Sequence, residues 1–234
     1  MDGVRAVVLC AGAGLRLAEL TRGRPKSFLP VGDETLIQRQ VRMLRDAGVS
    51  DITLVVGFMA ELFQAEFPGC SFVTNADFRT TNTSHSLMLA LSPREAGTVL
   101  VLNADVHFEE SVIPGILGHP GETVAALDRK RNGEEEIKVF ISGDRITAIG
   151  KYLNEKVSAG EAFGVYKLSP MFARYLRREI LLQNNPRVFY ESAMDQLLRG
   201  SHEMGYYDIG SGLAMEIDTP DDYRELLQRL GITR

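Results

Sequence analysis

Two cysteines and four histidines are all that this 234-residue chain offers in thiol or imidazole ligands. Cys10 and Cys70 are too few for a disulfide framework, and no histidine stands at a zinc spacing, so disulfide-stapled and zinc-centred folds are excluded. Cys10 has no neighbouring base that would make it a nucleophile, and it reads as a reduced core residue. No apolar run approaches the roughly 20 residues that a bilayer-spanning helix needs. The first residues read as a strand rather than a signal peptide, so the expected place is the cytoplasm, with no membrane insertion. Basic charge is in deficit: 26 lysines and arginines face 31 acids, a net charge of −5. That argues against nucleic acid or an anionic membrane as the main partner, while leaving room for a local basic cleft. Linkers, repeats and low-complexity tracts are also missing, so residues 1–234 are expected to form one domain.

What is present is an alternation of short apolar runs and helical patterns. Residues 4–10, 52–56, 71–74 and 98–102 read as strands, and 36–47, 60–66 and 84–91 as helices. The unbroken apolar run Val99-Leu100-Val101-Leu102 fits a parallel strand covered on both faces. After Asp105 the segments 123–127, 137–141 and 145–149 are short, with a hairpin turn at Ser142-Gly143-Asp144, and they predict an antiparallel portion. The chain then returns through strand 164–168, helices 170–182 and 192–198, strand 215–217 and a helix opened by Thr219-Pro220-Asp221-Asp222. The pattern changes near residue 108, which divides the chain into a first half, 1–108, and a second, 109–234.

The first strand runs directly into Ala11-Gly12-Ala13-Gly14, followed by the cations Arg16 and Lys26. Glycine-rich turns after a strand let successive N–H groups face phosphate oxygens, and flanking cations neutralise the charge. A dinucleotide fold would place a helix at once after a third glycine, whereas here the loop runs on to Pro25. A kinase-type P-loop would place Lys-Ser after a glycine, and here Lys26-Ser27 follows a proline. The glycines, Arg16, Pro25-Lys26 and the exit Leu29-Pro30-Val31 resemble the signature loop of the nucleotidyltransferases, which join a nucleoside triphosphate to a phosphate-bearing acceptor. Leu15 and Ala18 depart from that pattern, standing where sugar-nucleotide members carry a hydroxyl residue and a proline.

The resemblance implies an α/β fold with a Rossmann-like, mostly parallel central sheet flanked by helices and a smaller antiparallel acceptor-side lobe, as in nucleotide-diphospho-sugar transferases. It implies that Arg16 and Lys26 are catalytic, and that Leu9, Ala11, Gly12, Ala13, Gly14, Arg16, Lys26, Asn75, Asn82, Thr83, Ser84 and Asp105 bind the nucleotide. Asp105 ends a buried strand, where ligands gather in such sheets, although a capping role would place it there too. Glu216 and Asp218, two apart, would present paired carboxylates on one face of an extended segment. Magnesium favours such an oxygen set together with substrate phosphates, and the resemblance maps the Mg²⁺ ligands onto Asp105, Glu216 and Asp218.

Between Asn75 and Ser86 the chain carries Asn82-Thr83-Ser84-His85 instead of the Gly-Thr-Ala run of sugar-nucleotide members. This resembles the small cytidylyltransferases that activate phosphocholine or 2-aminoethylphosphonate, with CTP as the triphosphate. Ser84 as the N-cap of the following helix is the structural alternative. All seven tyrosines lie beyond residue 151. Glu161, in a segment resembling the family's acceptor-side glutamate, and Tyr190-Glu191 are expected to cradle a cationic acceptor head. A sugar-1-phosphate nucleotidyltransferase and a non-catalytic nucleotide sensor are the competing readings. Self-association into a homo-oligomer stays open.

Overall fold

The computed structural model describes residues 3–129 and 133–232. Strand β1 (Val4–Leu9) enters the glycine loop, and a single-turn 3₁₀ segment at Lys26–Phe28 leads to the small hairpin β2 (Pro30–Val31) and β3 (Glu34–Thr35). Helix α1 (Leu36–Asp46) starts at a capping box, in which Thr35 and Gln38 satisfy each other's backbone N–H. Then follow β4 (Asp51–Val56), α2 (Ala60–Glu66), β5 (Ser71–Thr74), α3 (Thr83–Ala90) and β6 (Thr98–Asn103). The second half comprises β7 (Val106–Phe108), α4 (Val112–Gly118), β8 (Val124–Asp128), β9 (Lys138–Ser142), β10 (Arg145–Gly150), β11 (Gly160–Leu168), α5 (Pro170–Gln183), α6 (Tyr190–Arg199), β12 (Gly205–Asp208), β13 (Ala214–Glu216) and α7 (Pro220–Arg229).

The antiparallel portion expected after Asp105 is the outer part of one nine-stranded sheet, ordered β5-β4-β1-β6-β11-β8-β12-β10-β9. Strands β4, β1 and β6 run parallel, with Leu9 in register with both Val55 and Asn103, so their carboxyl ends finish side by side. β11 lies antiparallel against β6, with Val165 opposite Leu102. β1, β4 and β6 are covered on both faces, so the buried stretches 6–9, 54–56 and 99–102 are apolar without alternation, and two cores form. One holds Val8, Phe28, Val41, Leu54, Phe63 and Phe163 beneath α1, α2 and α4. The other holds Val7, Val101, Tyr166, Leu176, Tyr190 and Met194 beneath α3, α5 and α6. A third cluster, Leu17, Leu29, Leu36, Ile217, Tyr223 and Leu226, ties the glycine-loop exit to α7. Long-range packing of this kind, rather than helix propensity, fixes where a short element such as α4 forms. No helix of the described residues is long and apolar enough to cross a membrane.

Candidate active site

A cavity of about 470 Å³ opens at the carboxyl ends of β1 and β6, between the glycine loop on one side and α6 on the other. Its position is where open α/β sheets place ligands, and its size suits a nucleotide-scale molecule.

The glycine loop uses its two glycines differently. Gly14 sits in the left-handed region at φ +59°, and a Cβ there would run into the Cβ of Lys26. Gly12 lies outside that region, and its added Cβ would meet nothing within 4 Å. Of the two, Gly14 alone takes a backbone angle closed to other residues, and Gly12 leaves open space at the cavity wall. Lys26 follows Pro25 and is pinned by Phe28 and Leu29 in the core. Its Nζ lies 2.7 Å from Asp105 Oδ2 and also reaches Asp218 Oδ1. Arg16 Nη2 stands 3.3 Å from Asp218 Oδ2.

The three carboxylates named from sequence come together, each offering an oxygen within 4.8 Å of the others. A two-stranded ribbon does this. β7 pairs antiparallel with β13, placing Glu216 opposite Val106, and Ile217 N donates to Asp105 O at 3.0 Å. Asp218 is then held by the capping box of α7, where Asp222 accepts from the N–H groups of both Asp218 and Thr219.

Electrostatics follow from this crowding. Burial works against the charge of Lys26, but Asp105 and then Asp218 outweigh it and raise its pKa. Partial burial costs Asp218 some of its acidity, yet Lys26 and Arg16 hold it below the usual carboxylate range. Glu216 touches solvent through the cavity mouth but stands among protein atoms, and this burial, with Asp105 and Asp218 beside it, pushes its carboxyl up. Oδ1 of Asp105 is buried without a hydrogen bond. Two half-buried carboxylates and a third with a raised pKa, one oxygen unmet, form a donor set suited to a hard divalent cation.

The wall beneath the expected base is built from Asn75, Phe78, Thr81, Asn82, Thr83 and Ser86. Asn75 spends both amide hydrogens on Thr81 Oγ1 and Ser86 Oγ, each at 3.0 Å, and so acts as a brace inside the wall. Asn82, not Ser84, caps α3, accepting from Thr83 N at 2.8 Å. Ser84 is buried and does not line the cavity; the alternative of Ser84 as a cap is likewise overturned, because the helix begins one residue earlier. Thr83 lines the cavity with a buried hydroxyl that has no partner. Leu9 and Ala11 also line it, and Ala13 does not.

At the far end the cavity meets Glu191, Lys151, Phe189, Glu135 and Ile137. Glu191 is 2% exposed, accepts from Tyr166 Oη at 3.1 Å through Oε1, and leaves Oε2 buried without a hydrogen bond. Burial pushes its carboxyl up to about 7, opposed in part by its own backbone N–H and by Tyr166 and Tyr190. Tyr190 and Glu161, expected to touch the acceptor, do not line the cavity. Tyr190 is fully buried, packs edge-on against Tyr166 and donates to Asn103 Oδ1 at 2.9 Å. Glu161 is buried on β11 in register with Lys138. The aromatic face is Phe189, with Lys151 Nζ 4.7 Å above its ring centre.

Sequence reasoning missed Lys151, Glu135, Ser27 and Phe78. Lys151 Nζ pairs with Glu135 at 3.1 Å. Its loop is anchored by buried Asp195, which accepts from Ile149 N and Tyr152 Oη at 3.0 Å. Glu135 sits on a segment drawn together by Lys138, whose ammonium donates to the carbonyls of Gly133, Glu134 and Glu136. These are contacts between distant segments that no local motif marks. Ser27 alone had a signal, its place directly after Lys26.

The chain is similar to known proteins in sequence and in fold. The chain is 30% identical over 95% of its length to CMP-5'-(3-aminopropyl)phosphonate synthase of Streptomyces rubellomurinus, of which it covers 38%. It is 31% identical over 54% of its length to 2-aminoethylphosphonate cytidylyltransferase of Lancefieldella rimae, covering 58% of that protein. The chain thus spans less than two thirds of the length of either relative. The solved CTP:phosphocholine cytidylyltransferase of Streptococcus pneumoniae superposes with a TM-score of 0.81 at 20% identity, covering 97% of this chain and 99% of that one, which fixes the fold. Residues 6–201, from the interior of β1 past the end of α6, match the MobA-like NTP transferase domain, and the chain belongs to that family of nucleotidyltransferases.

Proposed function

We propose that the protein transfers CMP from CTP to a small amine-bearing phosphate or phosphonate and releases pyrophosphate. The observation that carries this reading is a single cavity with two unlike ends: Lys26, Arg16 and three carboxylates at one, and buried Glu191 with an unmet oxygen at the other. An acceptor oxygen attacks the α-phosphorus, the new P–O bond forms in line, and the bond to the β-phosphate oxygen breaks. The acceptor is already anionic near neutral pH, so no protein nucleophile is required. Lys26 exchanges its carboxylate partners for the α-phosphate, and Arg16, on the solvent side of the loop, meets the leaving phosphates.

Asp105, Glu216 and Asp218 would hold Mg²⁺, which supplies charge neutralisation on the triphosphate. Thr83, Thr81 and Ser86 offer hydroxyls to the edge of a pyrimidine, a ring small enough for this shallow wall. Glu191 takes the acceptor's cation. Its unmet Oε2 favours an ammonium that donates hydrogen bonds, as in 2-aminoethylphosphonate or its longer homologue, over the trimethylammonium of phosphocholine.

The test is a matrix of the four common triphosphates against 2-aminoethylphosphonate, 3-aminopropylphosphonate, phosphocholine and glucose 1-phosphate, followed by pyrophosphate release with Mg²⁺. Highest kcat/KM for CTP with an aminoalkylphosphonate is the expected outcome. Preference for the sugar phosphate overturns the acceptor assignment, and no turnover with any pair overturns the enzymatic reading.

A further inference from the structure

The outer face of α5 is unlike the rest of the surface. Its inner side chains, Phe172, Ala173, Leu176 and Ile180, are sunk in the core. On the outside, Met171, Tyr175, Leu181 and Leu182 are 51%, 39%, 49% and 66% exposed. Residues 171, 174, 175, 178 and 182 stand at i, i+3, i+4, i+7 and i+11 along the helix, so Arg174 and Arg178 lie within the same stripe as the apolar side chains. Arg187 is exposed on the short loop that follows.

None of these three arginines has a carboxylate partner among the described residues. Several arginines elsewhere are held by acids: Arg5 by Glu95, Arg42 by Glu34 and Glu110, Arg129 by Asp208, Arg199 by Asp195. In a chain with more acids than bases, four arginines between 174 and 187 against the single acid Glu179 mark a local reversal of charge. The loop after α5 ends at Phe189 on the cavity wall, and Asn82 Nδ2 donates to Arg187 O, so the Arg187 end of this face borders the cavity.

We infer that the outer face of α5, with Arg187, docks the protein onto an anionic phospholipid surface, the leucines, Met171 and Tyr175 entering the headgroup boundary and the arginines pairing with lipid phosphates. Exposed apolar side chains interleaved with arginine are what such an interface requires, because the long guanidinium stems reach the headgroups while the apolar tips go deeper. A second copy of the chain suits the face less well. A two-fold contact would bring the unpaired arginines of both copies together with only Glu179 to offset them. The net charge of −5 does not oppose docking, because attraction to a charged surface falls off within a Debye length and is set by the face presented.

The chain contains no tryptophan, so Leu182→Trp gives the full-length protein a single reporter at the C-terminal end of the face. With vesicles of phosphatidylcholine and phosphatidylglycerol, its emission is expected to shift to the blue and the protein to sediment with the vesicles. Pure phosphatidylcholine vesicles should produce little of either. Adding Arg174→Gln, Arg178→Gln and Arg187→Gln should weaken partitioning on the order of 10²-fold, at roughly fivefold per arginine. Leu181→Ser with Leu182→Ser, scored by sedimentation alone, should lose vesicle binding with an unchanged circular dichroism spectrum. Absence of binding to anionic vesicles, or equal binding to both kinds, overturns the proposal. So does a concentration-dependent dimer that produces the blue shift without vesicles, which would make the face an interface between copies.

Discussion

The two ends of the cavity are built on opposite electrostatic terms. At the glycine-loop end, charges already satisfy one another: Lys26 bridges Asp105 and Asp218, and Arg16 leans on Asp218. At the α6 end, Glu191 is buried with one oxygen unmet, while the nearest cation, Lys151, is engaged by Glu135. A ligand entering the first end must trade protein partners for its own, which costs little desolvation and suits groups whose task lies in the transition state. A ligand entering the second end supplies a partner that the protein lacks, which suits ground-state recognition. Damage at the first end should therefore appear in kcat, and damage at the second in the acceptor's KM.

Removing the metal is the strongest way to break this contrast. If Asp105, Glu216 and Asp218 hold Mg²⁺ with the triphosphate, chelation should lower turnover by on the order of 10³-fold, matching the several kcal/mol that such neutralisation supplies. Readdition of Mg²⁺ should restore it. Full turnover in excess chelator would refute the metal assignment. Lys26→Ala comes next, with a fall in kcat of on the order of 10²-fold and little change in acceptor KM. An equal rise in both KM values with kcat intact would place Lys26 in binding alone.

The loop itself sharpens the comparison between neighbours. Gly14→Ala forces a left-handed alanine against Lys26 Cβ, and a loss of about 1–3 kcal/mol in stability is expected, together with reduced kcat. Gly12→Ala meets nothing and should leave the melting temperature unchanged. Thermal unfolding of the two variants separates the conformational requirement from the need for open space.

How far the sequence disclosed this site depends on the range of the contacts involved. Lys26, Arg16 and Gly14 lie within one short loop, so the local pattern carried them. Asp105 and the pair at 216 and 218 were legible because strand ends point into the crevice of such sheets, although the ribbon that joins them, β7 with β13, left no mark in the pattern. The α6 end depends on which way a side chain faces within a buried element. Phe189, Tyr190 and Glu191 are consecutive, and as the chain turns into α6 the middle one faces the core while its neighbours face the cavity. No spacing rule reads that from three adjacent residues. Asn82 against Ser84 as the cap of α3 is a similar case, since both residue types cap helices and only the first turn's position decides.

The smallest expected effect tests the α6 end. Glu191 is held near 7 by burial, well above an ordinary glutamate, so between about 4.5 and 7 the folded protein keeps a proton that the unfolded chain releases. Its contribution to stability is complete below that interval and is lost as pH rises through about 7. The melting temperature of Glu191→Gln relative to the unmutated protein should therefore climb from pH 5 to 7 and level off above. Acceptor binding should run the other way, because only the ionised carboxylate pairs with an ammonium. The KM for 2-aminoethylphosphonate should fall as pH rises through 7. Glu191→Gln should raise that KM about tenfold at pH 8 and leave the KM for CTP within a factor of two. The phosphonate's own ionisation affects both proteins alike and cancels in the ratio of their acceptor KM values. A ratio that stays constant from pH 6 to 8 would remove Glu191 from the acceptor subsite and leave it a buried acid of the wall.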